Sequence, residues 1–94
     1  MHAQLTTFII GENSRDRAEQ AASGLCSTAR EQDGFVDISC FYDERTNEFG
    51  TYSVWQSKDA ADAAGKALTR ALEQALEDDL KDQVVNRTVE VVEQ

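Results

Sequence analysis

Two runs with strict strand-like alternation, Phe35–Tyr42 (FVDISCFY) and Phe49–Gln56 (FGTYSVWQ), are separated by the polar turn Asp43-Glu44-Arg45-Thr46-Asn47. Such a pair predicts an antiparallel hairpin in the middle of the chain. The flanking segments then decide the fold. Upstream, Gln4–Ile10 (QLTTFII) is β-branched and apolar and is stopped by Gly11, which predicts a strand. Ala18, Ala21, Ala22, Leu25, Cys26 and Ala29 follow at helical spacing. Asn13-Ser14 is the expected N-cap, Asp16 suits the first turn, and Gly34 is the expected left-handed stop. The first helix should run from about Arg15 to about Gln32.

Downstream of the hairpin, Ser57 is placed to cap a second helix, with Asp59 in its first turn. Ala60, Ala64, Leu68, Leu72, Leu76 and Leu80 recur every four residues. A four-residue repeat drifts about 40° per step around a 3.6-residue helix. Gly65 is where a break would reset that phase, so two helical pieces are expected, about 58–65 and 67–79. A last strand is expected over Gln83–Val92 (QVVNRTVEVV), with Val85, Val89 and Val91 opposed to Asn86, Thr88 and Glu90.

The order β-α-β-β-α-β is the ferredoxin-like split βαβ arrangement, an α+β fold with a four-stranded antiparallel sheet and helices on one side. The alternation assigns Val36, Ile38, Cys40, Tyr42, Tyr52, Val54, Val85, Val89 and Val91 to one sheet face. It assigns Phe35, Phe41, Phe49 and Trp55 to the other, among Asp37, Ser39, Thr51 and Ser53. A half-solvated sheet shows one plainly polar face, and neither of these is one. Helices cover one face, and a second copy of the chain is the simplest cover for the other, which predicts a homodimer.

Ninety-four residues with no Pro, no repeat and no linker suit a single domain over 1–94. Eighteen acids against nine bases give a net charge of −9, which argues against nucleic-acid partners and anionic membranes. The uncharged stretch Leu5–Ile10 is too short to span a bilayer, and nothing before it has the pattern of a signal peptide. Cys26 and Cys40 could pair only if the fold brought them together; as two thiols without a leader they fit buried, reduced residues of a cytoplasmic protein. No Ser-His-Asp set, metal-ligand cluster, phosphate loop or dinucleotide fingerprint is present, so no metal site is expected.

The segment Val54-Trp55-Gln56-Ser57-Lys58-Asp59-Ala60, a strand ending in Trp followed by a Ser-capped helix, resembles the antibiotic biosynthesis monooxygenase family of the dimeric α+β barrel superfamily. Gly34-Phe35 after the first helix and the hairpin beyond it are similar to that family too, and the element order matches over nearly the whole chain. The resemblance implies two sheets facing each other in a homodimer and, in each subunit, a small pocket between sheet and helices with the Trp near it. It implies oxygenases that act on quinols or aromatic polyketides without metal or organic cofactor, alongside relatives that degrade haem or isomerise small sugar-derived signals. One departure matters. Many members carry His on the helix after the Trp, where this chain has Ala64 and, further on, Thr69; its single His is His2. That removes the iron ligand a haem-degrading relative needs, and the obvious general base.

The candidate pocket residues are Trp55, Phe35, Phe41, Phe49, Ser39, Ser53, Asp37 and Asn86, with no catalytic residue assigned. Trp55 would stack on an aromatic ring, or close the core. The three Phe would form an apolar wall, or pack the core or a subunit contact. Asp37, Ser39 and Ser53 put polar groups among aromatics, as a small-molecule site does. Asp37, if buried, would act as a base; the alternative is a pairing with Arg87 or a place in water. Asn86 and Arg87 would orient a substrate oxygen, or serve as edge residues. Two functions follow: a cofactor-independent monooxygenase for a small aromatic or quinol, or a non-catalytic dimeric binding or stress-response domain on the same fold.

Overall fold

The hairpin is flanked by helices and closed by two further strands, in the expected order. The computed structural model describes residues 1–11, 15–81 and 84–93. Its elements are β1 (His2–Ile9), α1 (Arg15–Arg30), β2 (Phe35–Asp43), β3 (Glu48–Trp55), α2 (Lys58–Ala75) and β4 (Val85–Glu90). The expected N-cap Asn13-Ser14 and the first residue expected for the last strand, Gln83, lie outside the described residues. The sheet runs β2-β3-β1-β4 with every pair antiparallel. This is the ferredoxin-like α+β arrangement.

The turn Asp43–Asn47 closes as its composition requires. Asn47 takes a left-handed φ of 58°, which its short side chain tolerates. Its Oδ1 accepts a hydrogen bond from the Tyr42 hydroxyl at 2.9 Å.

The second helix is one piece, not two. Its buried residues are Ala61, Ala64, Gly65, Leu68 and Leu72. The four-residue drift stays inside one stripe because the helix ends at Ala75, so Leu76 caps it and Leu80 lies beyond it, bridged to Ile10. Gly65 does not break the helix; it lets α2 approach the sheet. A Cβ there would collide with the side chain of Gln4. Ser57 caps the helix as expected, its Oγ accepting from the Ala60 amide at 3.1 Å.

A bulge corrects the assignment of faces. Phe35 pairs with Trp55 and Asp37 pairs with Val54, so Val36 is an extra residue in β2. The bulge reverses the alternation at its start. Phe35 therefore shares the helix-covered face with Ile38, Cys40 and Tyr42. Phe41, Asp37 and Ser39 fall on the opposite, open face with Tyr52 and Val54, and so do not share a face with Trp55. The covered face also holds Phe49, Thr51, Ser53 and Trp55 of β3 and Gln4, Thr6 and Phe8 of β1.

The core is built there. Phe8, Leu25, Phe49, Trp55, Leu68, Leu72 and Leu76 are buried together. Beneath α2 the core gives way to a hydrogen-bonded polar layer. Thr6 donates to Asn86 Oδ1 at 2.6 Å, and Asn86 donates to the Gly65 carbonyl at 3.4 Å and to Thr69 Oγ1. The Thr88 hydroxyl lies 2.7 Å from Gln4 Oε1 and 2.6 Å from Asp62 Oδ1. This layer fastens the edge strand β4 to α2 and satisfies groups that burial would otherwise penalise.

Candidate functional site

An open cleft of about 570 Å³ lies between α1 and the outer strand of the hairpin. Helical periodicity puts Glu19, Ala22, Ser23, Cys26, Ser27 and Arg30 along one side of it. Cys40, Phe41, Tyr42 and Phe49 of the hairpin form the other. The aromatic wall is built in depth. The Tyr42 and Phe49 rings lie 4.5 Å apart, and Phe8 stacks behind Phe49 at 5.7 Å. Arg15 sits over the Tyr42 ring at 4.5 Å and pairs with Glu19 at 3.0 Å.

The two thiols meet in this cleft, Sγ to Sγ at 3.1 Å. Both are free; Cys26 is half-buried and Cys40 exposed. Neither is the fully buried thiol expected. Desolvation and the hydrogen bond with Cys26 push the Cys40 thiol up to about 12, and the Arg30 charge only partly opposes the rise. At neutral pH Cys40 is a thiol, not a thiolate.

The other sequence candidates are placed differently. Trp55 is fully buried, edge-on to Phe35 at 5.6 Å. Its Nε1 donates to Ser53 Oγ at 2.8 Å, and Ser53 donates to the Gln4 carbonyl at 3.3 Å. Trp55 and Ser53 thus close the core with their polar side-chain atoms already partnered, and the half-buried Phe35 packs against it. Asp37 is exposed on the open face and accepts the Ile38 amide at 2.9 Å, so it is no buried base and makes no pocket with Trp55. Ser39 is exposed there too. Asn86 is committed to the polar layer. Of the eight candidates, Phe49 and Phe41 border the cleft, and the Phe41 ring itself lies over Gly50 on the open face.

The cleft residues that sequence reasoning missed are Ser23, Ser27, Arg30 and Tyr42, together with the cysteines as an adjacent pair. The spacing of 23, 26, 27 and 30 marks one helix face, but nothing local says that β2 lies against it. His2 pairs with Trp55 and Glu90 at the far end of β1, six residues from Phe8, or roughly 20 Å along a strand. Imidazole chemistry is therefore remote from the cleft. Ala64 is in the core, and Thr69 is tied to Asn86. Among the described residues, no group of three or more His, Cys, Asp or Glu could hold a metal ion.

Comparison with solved structures bears on this geometry. A Nitrosomonas europaea protein of unknown function, NE2512, superposes with a TM-score of 0.83 at 12% identity, covering 99% of this chain and 90% of the other. An antibiotic biosynthesis monooxygenase superposes with a TM-score of 0.78 at 14% identity, covering 99% and 100%. The chain has the fold of the antibiotic biosynthesis monooxygenases. SnoaB, a cofactor-independent oxygenase from Streptomyces nogalater, shares that monooxygenase fold with a TM-score of 0.74 at 14% identity, covering 99% and 94%. No family model and no curated protein matches the sequence. The likeness to the monooxygenases is thus one of fold, over nearly the full chain. No helix among the described residues is long and apolar enough to cross a membrane.

Proposed function

We propose that this chain is a cofactor-independent monooxygenase for a small, electron-rich aromatic such as a quinol, working as a homodimer through its open sheet face. The observation that carries the reading is the cleft between α1 and β2. Its volume of about 570 Å³ suits a small aromatic molecule. Tyr42 and Phe49 supply an apolar aromatic wall for it to pack against. Ser23 and Ser27 offer hydroxyls, and Arg30 offers the charge that would hold a phenolate. A deprotonated quinol passes an electron to O2 by its own chemistry, so the protein's part is to bind, orient and exclude water.

Oxygen uptake with anthrone and hydroquinone substrates tests this. Uptake above the buffer rate, lowered at least tenfold by the cleft-filling Ser27→Trp, is the expected result. No uptake above buffer across the panel would refute catalysis. A second reading, a binding domain without turnover, is favoured by one observation: no imidazole lines the cleft among the described residues. Saturable binding without oxygen uptake would select it.

A further inference from the structure

We propose that Cys26 and Cys40 are a reversible oxidation site, a dithiol that a hydroperoxide converts to an intramolecular disulfide joining α1 to β2. The proposal does not depend on what the cleft binds. It rests on the placement of two sulfurs from separate elements. Cys26 projects from α1 and Cys40 from β2, and their Sγ atoms lie 3.1 Å apart. A disulfide needs about 2.04 Å, so closure requires a movement of roughly 1 Å. Both residues line the same open cleft, which gives a small oxidant a path to them. Most structural thiols lack both features: they are single, and they are sealed in the core.

The surroundings assign the roles. Cys40 Sγ lies 3.8 Å from the Ala22 carbonyl as well as against Cys26 Sγ, so its S–H has two acceptors to face. Cys40 keeps its proton, and Cys26 is the attacking sulfur. The Cys26 sulfur gives up its proton and attacks one peroxide oxygen, the O–O bond breaks, and the other oxygen leaves with a proton as an alcohol or water. Cys26 becomes a sulfenic acid, oxidised by two electrons as the peroxide is reduced. The Cys40 sulfur then attacks the Cys26 sulfur, the S–S bond forms and the S–O bond breaks. The Cys40 proton leaves with the hydroxide as water. In sum, two thiols and one hydroperoxide give one disulfide, one alcohol and one water.

The bond would tie an edge strand of the sheet to the helix that covers it. β2 is an edge of the sheet, paired only to β3 and covered on one face by α1. A cross-link there closes a short loop containing the turn before β2, within the cleft that both cysteines line.

The test uses the full chain, reduced, desalted and exposed to hydrogen peroxide. The expected product is a single chain lighter by two hydrogens, whose proteolytic map joins the Cys26 peptide to the Cys40 peptide. Dithiothreitol should restore both thiols. The oxidised form should melt higher by roughly 15 °C, as closing a loop of this length implies. A chain that stays reduced, accumulates sulfur oxygenation without a disulfide, or forms only interchain disulfides would overturn the proposal. Role assignment is tested by trapping sulfenic acid with dimedone. Cys40→Ser should label at least tenfold faster than Cys26→Ser, and equal or reversed rates would overturn Cys26 as the attacking sulfur.

Discussion

Thr51 stands between Thr6 and Cys40 on the covered face, fully buried. Its hydroxyl has no hydrogen-bond partner among the described residues. An orphaned buried hydroxyl costs about 1–3 kcal/mol, whereas a methyl of the same shape does not. Thr51→Val should therefore raise stability by about 1 kcal/mol in urea unfolding. A loss of that size would show that the hydroxyl has a partner. At this scale the sequence was only partly legible. Ser57 as a cap and Asn47 as a turn residue were readable because each acts through its immediate neighbours. Phe35 was not: alternation placed it with Phe41, and a single extra residue, Val36, put the two rings on opposite faces. A bulge is set by how β2 meets β3 and Trp55, not by any residue within β2. The same holds for Cys26 and Cys40, whose contact depends on how α1 docks.

Among the elements, α2 shows how one glycine can be misread. In the sequence Gly65 looks like an interruption; in the fold it is a contact point. Gln4 lies against it, buried, with its Oε1 held by Thr88. The side chain cannot swing away without breaking that bond. Gly65→Ala should cost about 1–3 kcal/mol through overpacking, despite alanine's better helix propensity. Gly24 in α1 is the control. It is exposed, with nothing within 4 Å of an added Cβ. Gly24→Ala should gain about 0.5–1 kcal/mol from propensity alone. Thermal melts of the two variants check the pair, and shifts of the same sign would contradict this account of α2. The order of elements was legible throughout, because each strand and helix carries its own period. The continuity of α2 was not, because the sheet it rests on is built from β1, more than fifty residues earlier.

For the whole molecule, the open sheet face is the feature most in need of a partner. Phe41 is 39% exposed and Tyr52 38%, beside Leu5, Val54 and Val89. The Phe41 ring lies over Gly50, which leaves a flat apolar surface between β2 and β3. In the proposed homodimer two chains of charge −9 repel, so this surface would have to supply the attraction, and added salt should strengthen it. Light scattering should give twice the 10.4 kDa chain mass, and Tyr52→Asp should return it to one. A monomer at all salt concentrations would contradict the dimer. NMR titration of the chain with a naphthol reads out the location of the ligand site. The predicted result is a set of saturating amide shifts at Ser23, Cys26, Ser27, Cys40 and Tyr42. Shifts clustered beneath α2 at Thr6, Thr69 and Asn86, or no shifts up to the ligand's solubility, would contradict it.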